Sequence, residues 1–370
     1  MKSSSRILTV VGARPQFIKS VAVTRELALR GMDQWLVHAG QHPDDHMGSA
    51  FLAELGVGAP DARLHPAQTS RSKRMSDMLA GLSEEMARVA PAAVLVYGDT
   101  DATLAGALAA HHHSVPLVHV ESGLRSGDRA MPEEHNRIMT DSLSDLLCTT
   151  GPAPSDQLLK EGVEAGRILE VGDVMLDVAL GVQDRLSDRL PEGWPTAEGP
   201  VMVVTLHRPA TVDNPDRLRA ALAALGRWSA ASGGHVVFPI HPRTRGQMAE
   251  HGLVLPDGVV DCPPFGYLDM QAALFHANLV LTDSGGVQKE AWFQGTPGVI
   301  LRDTTEWREL VEVEASVLFD PARLLTPEGD AEFDAVLALE RQVVAVKGSG
   351  LFGGGHAATR VVDGLKVLLG

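Results

Sequence analysis

The sequence predicts an α/β fold made of two doubly wound, Rossmann-like domains. Short apolar runs bounded by turn residues alternate with longer stretches that have helical spacing. Strands that are apolar on both faces and joined by helices form parallel sheets. The alternation pauses at a turn-rich stretch, residues 194–200, and then starts again. At 370 residues, the chain is also long enough for about two domains.

The first domain is predicted at residues 1–172. Its strands are the apolar runs at residues 7–11, 35–38, 93–97, 117–120 and 168–171. Helical spacing is clearest over residues 17–29, 72–89 and 102–110. These elements alternate in chain order, as expected for a doubly wound sheet.

The second domain is predicted at residues 173–355, with the crossing somewhere in about 170–200. Its strands are expected at residues 201–206, 235–240, 279–282 and 298–301, with helices at 217–229, 268–277 and 287–294. Ligands of such folds bind outside the carboxyl ends of the strands. We therefore expect the active site in a cleft between the two domains.

Composition excludes several classes of partner. The formal net charge is -15, which argues against binding of nucleic acid or an anionic membrane surface. Two cysteines, Cys148 and Cys262, stand far apart, which favours neither a disulfide scaffold nor a zinc site and fits a reducing compartment. The apolar run before Gly12 is too short for a signal peptide or a membrane span, so we expect a cytoplasmic protein.

The segment TDSGGVQKE, residues 282–290, follows a predicted strand and opens a predicted helix. A serine and two glycines there leave backbone N–H groups at a positive helix end, where a phosphate can bind. An ordinary helix capped by Ser284 or Asp283 explains the segment equally well. The window alone does not choose between them.

Charged residues follow several predicted strands of the first domain. Arg14 and Lys19 lie in GARPQFIK after the first strand, which is neither GxGxxG nor a P-loop. Asp99 in YGDTDAT is either a helix cap or an acid in the cleft, whereas Glu121 ends a strand. One of Glu133 and Glu134 is expected to be a partner of the helix dipole. Converging carboxylates of this kind suit proton transfer.

Histidines follow two strands of the second domain. His207 and His241 each precede an arginine or a proline-arginine pair, which favours anion binding or acid catalysis over a structural role. The triplet at residues 111–113 suggests metal binding at first sight. Adjacent helical residues point about 100° apart and cannot chelate together, so we expect no metal there.

Ten ordered motifs, taken together, resemble the non-hydrolysing UDP-N-acetylglucosamine 2-epimerase family. They are GARPQFIK, GQH at 40–42, GDTDAT, HVESGLRSGD, PEEHNR, LHRPATVDN, HPRTR, GYLD at 266–269, TDSGGVQKEA and LRDTTE. They span about residues 7 to 320. The resemblance implies a glycosyltransferase-B-like fold, a homodimer, a UDP-sugar substrate, and neither a metal nor a cofactor. It also implies that a helix at residues 356–370 completes the first domain.

The family interconverts UDP-GlcNAc and UDP-ManNAc by eliminating UDP to a 2-acetamidoglucal and adding it back. By motif match, Asp99, Glu121 and Glu133 are the acid/base carboxylates, and His207 supports the diphosphate. The implied substrate-binding residues are Arg14, Lys19, Arg137, Phe265 at the uracil, Ser284, Gly285 and Gly286 at the diphosphate, and Glu290 at the ribose. Gln41 and His42 fall in a loop that contacts an allosteric UDP-GlcNAc in many bacterial members.

The sequence departs from the commonest bacterial pattern at two places. Ala210-Thr211 replaces a usual Glu-Asn, and Trp307 interrupts a usual TERPE. The sequences of other motifs are closer to those of epimerases that act on UDP-2,3-diacetamido-glucuronic acid, which is the alternative substrate. A hydrolysing epimerase that releases ManNAc and UDP, a glycosyltransferase and a non-catalytic sensor are further alternatives.

Overall fold

The computed structural model describes residues 6–41, 54–338 and 350–370, which form two compact units. The first unit is Met1–Val178 with Gly350–Gly370, and the second is Ala179–Ser349. Each contains one parallel sheet flanked by helices. The predicted fold class of two doubly wound α/β domains is confirmed.

The first unit is built on a sheet of seven parallel strands. The strands are β1 (Ile7–Val11), β2 (Gln34–His38), β3 (Ala62–Arg63), β4 (Ala93–Tyr97), β5 (Leu117–Ser122), β6 (Leu146–Thr149) and β7 (Ile168–Glu170). The helices are α1 (Arg14–Leu29), α2 (Arg71–Val89), α3 (Asp101–His112), α4 (Pro132–Leu143), α5 (Pro152–Lys160) and α6 (Val174–Leu180), the last two residues of which belong to the second unit. The strand order β3-β2-β1-β4-β5-β6-β7 reverses direction between β1 and β4. Ligands of open α/β sheets bind at such a reversal.

The second unit repeats this plan with six parallel strands. Its strands are β8 (Val201–Thr205), β9 (His235–Pro239), β10 (Val259–Cys262), β11 (Leu279–Thr282), β12 (Gly298–Ile300) and β13 (Ser316–Leu318). Its helices are α7 (Pro209–Val212), α8 (Pro215–Ser232), α9 (Pro242–Glu250), α10 (Tyr267–His276), α11 (Gly285–Phe293), α12 (Arg308–Glu312) and α13 (Pro327–Ala338). The order β10-β9-β8-β11-β12-β13 places the reversal between β8 and β11.

A last helix, α14 (Ala357–Leu369), belongs to the first unit and packs on α1. The units divide after Val178 and again before Gly350, each six residues from the predicted boundaries of 172 and 356. The difference has a local cause, because the residues before α14 contact the end of the first sheet. Asp173 donates its N–H to the carbonyl of Phe352 at 2.9 Å.

Both cores lie between a sheet and its helices. In the first unit, β4 is buried along its whole length, and its valines pack against Met78 and Leu82 of α2. In the second unit, strand residues such as Val204 and Leu281 pack against Leu222 and Leu225 of α8. The loops at the carboxyl ends of the strands carry the candidate site residues.

Candidate active site

Gln16 joins the turn after β1 to the end of β4. Its amide oxygen accepts the N–H of Gly12 at 2.7 Å, and its amide nitrogen donates to the carbonyl of Tyr97 and the hydroxyl of Thr103, each at 2.7 Å. Gly12 itself has no room for a side chain, since a Cβ would lie 2.3 Å from the Cβ of Ala102. The two turns at the reversal of the first sheet are therefore fixed to each other. Sequence reasoning did not single out Gln16.

Lys19 and Glu121 form a buried ion pair beside these turns. The Lys19 Nζ lies 2.6 Å from Glu121 Oε1, and each side chain is only 10% exposed. Burial opposes the charge on Lys19, but Glu121, and more weakly Asp99 and Asp173, outweigh it and raise the pKa of Lys19 above its ordinary value. Glu121 has φ +68°, a left-handed conformation that a non-glycine residue adopts at a cost in energy.

Asp99 pairs with Arg137 across the mouth of the same sheet. Arg137 donates to Asp99 Oδ2 at 2.5 Å, and the Asp99 side chain is 26% exposed. Thr100, not Asp99, is the N-cap residue of α3, so the alternative of Asp99 as a helix cap is wrong. Gly98 precedes it with φ +62°, and a Cβ there would lie 3.4 Å from Lys19 Nζ. Asp99 therefore directly follows Gly98, a residue that lies against the Lys19–Glu121 pair.

Of the two adjacent glutamates at the start of α4, Glu134 is the buried, hydrogen-bonded one. It accepts the N–H groups of Ser126 at 2.8 Å and Gly127 at 3.0 Å, and Arg137 donates to it at 3.1 Å. Burial disfavours its ionised form, but these donors outweigh burial and lower the pKa of Glu134. Glu133 is half-exposed and, among the described residues, makes none of these hydrogen bonds.

The remaining predicted residues of the first unit lie around this group. Arg14 is the first residue of α1 and is exposed. Gln41 is buried and its amide oxygen accepts the N–H of Ala102 at 2.9 Å, at the start of α3. His42 lies outside the described residues. Gln41 therefore has a structural contact of its own, apart from any regulatory role.

In the second unit, Asp283 holds His207. Asp283 is fully buried, and its carboxylate accepts the backbone N–H groups of His207 and Arg208 at 2.8–3.0 Å. The same carboxylate lies 2.9 Å from the Nδ1 atom of His207, whose side chain is 39% exposed. His207 and Asp283 follow β8 and β11, the two strands at the reversal of the second sheet.

The segment after β11 forms the N-terminus of α11. Ser284 is the N-cap residue, yet its side chain makes no capping hydrogen bond to the described part of the helix. A Cβ on Gly285 would have its nearest neighbours at 3.8 Å, and so would one on Gly286. The two glycines are therefore not required by packing, which favours the alternative that they leave space for a ligand.

The first turn of α11 is also fixed by Trp307, the residue that departs from the family pattern. Its indole N–H donates to the carbonyl of Gly285 at 3.0 Å. The Nζ atom of Lys289 lies 3.8 Å from the centre of the indole ring, in a cation–π contact. Glu290, one turn along the helix, accepts from the amide of Gln271 at 3.1 Å.

Cations and a second histidine lie near the start of α11. Burial and the neighbouring Arg302 lower the pKa of Arg208, and Arg302 itself pairs with Glu306 at 2.8 Å. The ring of His241 lies 5.6 Å from that of His207. Burial, and then the charge of His207, lower the pKa of His241. A local basic surface of this kind can bind an anion despite the acidic chain.

Phe265 and the histidine triplet at residues 111–113 are two further features that the sequence analysis considered. Phe265 is 6% exposed and packs in a core cluster with Val203 and Leu274. Residues 111–113 lie at the end of α3. Across the described residues, no three His, Cys, Asp or Glu side chains are grouped so that they could hold a metal ion. Within the same ranges, no helix has both the length and the apolar character needed to cross a membrane.

The two units thus present complementary chemistry. The first offers ionisable carboxylates next to a buried ammonium group, which suits proton transfer. The second offers backbone N–H groups, a histidine held by a carboxylate, and arginines, which suit an anionic group such as a diphosphate.

Comparisons with known proteins agree with this description. The model of the family described as UDP-N-acetylglucosamine 2-epimerase matches residues 25–366. A UDP-2,3-diacetamido-2,3-dideoxy-D-glucuronate 2-epimerase from Pseudomonas aeruginosa is 42% identical over 98% of this chain and 100% of its own. The solved structure of UDP-GlcNAc 2-epimerase from Methanocaldococcus jannaschii, in complex with UDP-GlcNAc and UDP, is 30% identical with TM-score 0.83, covering 98% of this chain and 99% of that one.

A more distant structure shares the fold alone. The spinosyn rhamnosyltransferase SpnG, complexed with thymidine diphosphate, has TM-score 0.57 at 15% identity, covering 98% of this chain and 96% of that one. The predicted glycosyltransferase-B-like fold class, with two doubly wound domains, is therefore confirmed. The match of the family model over most of the chain, together with the similar relatives, shows that the chain belongs to the UDP-N-acetylglucosamine 2-epimerase family.

Proposed function

We propose that this enzyme epimerises a UDP-activated 2-acetamido sugar at C2, reversibly, by eliminating UDP and adding it back. The observation that carries the proposal is the pair of carboxylates at neighbouring strand ends, Glu121 bound to Lys19 and Asp99 bound to Arg137. Two carboxylates with different cationic partners suit removal of a proton from one face of a carbon and its return to the other.

The chemistry explains why carboxylates and an anion site are both needed. The C2 hydrogen of the sugar is not next to a carbonyl, so its direct removal has a prohibitive barrier. Loss of the diphosphate from C1 makes it removable: the base takes the C2 proton, the C–H electrons form the C1–C2 double bond, and the C1–O electrons leave with UDP. Re-addition of UDP with protonation at the opposite face of C2 gives the epimer.

The residues are assigned accordingly. Asp99, Glu121 and Glu133 serve as the acid/base carboxylates, with Lys19 and Arg137 controlling their charge. In the second unit, Ser284, Gly285 and Gly286 bind the diphosphate, His207 supports its departure and return, and Glu290 binds the ribose hydroxyls. The buried contact of Asp283 to His207 supports this role, because it orients the ring.

UDP-GlcNAc and UDP-ManNAc are the proposed substrate pair. UDP-2,3-diacetamido-glucuronic acid is a second candidate, favoured by one observation: the 42% identity over 98% of the chain with an epimerase of that uronate, against 33% over 85% of the chain for the UDP-GlcNAc 2-epimerase of M. jannaschii. The two substrates share the C1–C2 chemistry and differ in their substituents at C3 and C6.

The test is incubation of the protein with each substrate in D2O, followed by proton NMR. Deuterium at C2 of both epimers supports elimination and re-addition. Free ManNAc together with UDP instead identifies a hydrolysing enzyme, and absence of exchange with both substrates contradicts the proposal. The ratio of kcat/KM for the two sugars decides between them.

A second measurement isolates C1–O cleavage. With 18O in the bridging position between C1 and the β-phosphate, cleavage lets the label exchange with the non-bridging oxygens of UDP before re-addition. Scrambling of the label in recovered substrate supports elimination. Exchange of the C2 proton without scrambling would contradict it.

A further inference from the structure

His119 is a fully buried histidine of β5 that bridges two segments of the first unit. Its Nε2 atom lies 2.7 Å from the carbonyl oxygen of Gly98. Its Nδ1 atom lies 2.6 Å from Oδ1 of Asp141, on α4. Neither contact was predicted from the sequence, and the proposed mechanism does not use this residue.

The partners of His119 determine how many protons the ring carries. A carbonyl oxygen can only accept a hydrogen bond, so Nε2 must carry a hydrogen. Asp141 is ionised, because the positive charge of the Arg125 guanidinium, 2.7 Å from its other oxygen, stabilises the carboxylate, and the N–H of Gly123 donates to that oxygen at 3.2 Å. A carboxylate also only accepts, so Nδ1 must carry a hydrogen as well. With both nitrogens protonated, the ring is an imidazolium.

Asp141 remains ionised although it is buried. Burial alone would raise the pKa of its carboxyl, but His119 and Arg125 outweigh burial and lower it below its ordinary value. Arg125 is in turn bound by Glu161 at 2.6 Å, at the surface end of the chain of contacts. The charges therefore alternate in sign from Glu161 to His119, so that none is buried without an opposite partner.

The contacts of His119 and Asp141 are made to residues that are close in the sequence to both candidate carboxylates, Asp99 and Glu121. Gly98, which His119 binds, directly precedes Asp99. Gly123, which Asp141 binds, comes two residues after Glu121, whose backbone has the left-handed φ of +68°. The helix that carries Asp141 also carries Arg137, the partner of Asp99. One buried ion pair thus ties together the segments that present Asp99, Glu121 and Arg137.

We propose that His119 is a buried imidazolium that acts as a positioning residue for Asp99 and Glu121. A neutral ring keeps only one of the two hydrogen bonds as a donor and turns a lone pair toward either a carbonyl or a carboxylate. The turn after β4 and the turn after β5 would then separate. The positioning role of His119 rests on the proposed epimerase function. The proposed charge of its ring does not depend on that function.

The charge is tested on the wild-type protein by 15N NMR of histidine labelled at both ring nitrogens. We expect both nitrogens of His119 to resonate in the protonated range at pH 8, with the signal assigned by its absence from the His119→Gln variant. A His119 ring with one unprotonated nitrogen at that pH overturns the proposal. This readout needs no activity, so it remains decisive if the proposed function fails.

The positioning role is tested with His119→Gln and, as matched control, His113→Gln at an exposed histidine of the same unit. We expect His119→Gln to lower kcat for C2 exchange about 10²-fold, because small misplacements of reacting groups cost about that much. KM and UDP affinity should change less than about twofold, and the control should match the wild type. A kcat equal to that of the wild type overturns the positioning role.

If His119→Gln does not fold, Asp141→Asn is the second variant. The side-chain amide of this variant can donate to Nδ1 of a neutral His119, whose Nε2 then still donates to Gly98, so the ring loses its charge and keeps its contacts. We expect its 15N spectrum to show one unprotonated nitrogen. Two protonated nitrogens in this variant would mean that Asp141 does not determine the charge of the ring, which contradicts the proposal.

Discussion

Asp283 Oδ1 lies 2.9 Å from Nδ1 of His207, and the same carboxylate accepts the backbone N–H of that histidine. The contact fixes both the backbone and the ring of a residue that is separated from Asp283 by 76 positions. Since Nδ1 is engaged and the side chain is 39% exposed, Nε2 is the nitrogen that can reach a ligand.

Asp283→Asn should therefore slow the reaction more than it weakens binding. An amide keeps only one acceptor oxygen, so it no longer holds both the backbone N–H groups and the Nδ1 atom of His207, and we expect kcat to fall about 10²-fold. The rate of C2 exchange in D2O measures turnover, and titration with UDP measures affinity. Asp216→Asn, at an exposed aspartate of α8, is the control. Equal rates for the two variants would contradict a role for Asp283 through His207.

Gly286→Ala tests the diphosphate site without disturbing the fold. A Cβ there would lie 3.8 Å from its nearest neighbour, an ordinary contact, so stability should stay the same or rise by up to about 1 kcal/mol. The methyl group occupies the space proposed for phosphate oxygens, and we expect UDP affinity to fall at least about tenfold. Gly246→Ala, in an open position of α9, is the control. Unchanged UDP binding by Gly286→Ala would exclude a phosphate at this helix start.

Glu121→Gln should abolish C2 exchange and leave UDP binding intact. Losing an acid/base group costs on the order of 10²–10⁴-fold in rate. Breaking a buried ion pair also costs about 3–5 kcal/mol of stability, so the measurement needs circular dichroism to verify that the variant is folded. Glu170→Gln, at an exposed strand residue, serves as the reference. Near-normal turnover of folded Glu121→Gln would refute its catalytic role.

Substitutions at the adjacent residues Glu133 and Glu134 should have different effects, one mainly on activity and the other mainly on stability. Glu134→Gln should destabilise the fold at pH 7 by about 1.5–3 kcal/mol, because it loses hydrogen bonds to a charged group. Glu133→Gln, half-exposed, should cost little stability and slow the reaction. Unfolding in urea and C2 exchange measure the two effects. The opposite pattern would assign the acid/base role to Glu134.

The fold lowers the pKa of Glu134, and this direction determines how the destabilisation caused by Glu134→Gln depends on pH. The folded pKa of Glu134 is below the ordinary value of 4.5, so its contribution is fully present above 4.5 and is lost as pH falls through the folded pKa. The stability difference between wild type and Glu134→Gln should therefore be constant from pH 7 to about 5 and shrink below 4.5. A difference that grows in acid contradicts this assignment.

The alternation of apolar runs and helical spacing was enough to predict the fold class, because it depends only on local patterns. It missed β3, β6, β10 and β13, strands of two to four residues, a length that gives little periodicity to detect. The same patterns identified residues at strand ends, such as Asp99, Glu121 and His207, since the carboxyl edge of a parallel sheet is where functional loops occur.

The supporting contacts could not be predicted in this way. Gln16 meets Tyr97 across 81 positions and His119 meets Asp141 across 22, and nothing in either local pattern marks the partner. Asp283 was considered only as a helix cap, an interpretation that its fully buried contact with His207 replaces. Adjacent Glu133 and Glu134 share one pattern and differ only in which side chain the fold buries.

The return of helix α14 to the first unit has a consequence for synthesis on the ribosome. Nascent chains usually fold their N-terminal domain first. Here the second unit, residues 179–349, is made in full before Ala357–Leu369, the helix that packs on α1. The unit that carries the carboxylates is begun before the second unit and completed after it. A delay or fault in making α14 therefore leaves incomplete a unit whose sheet has already been made.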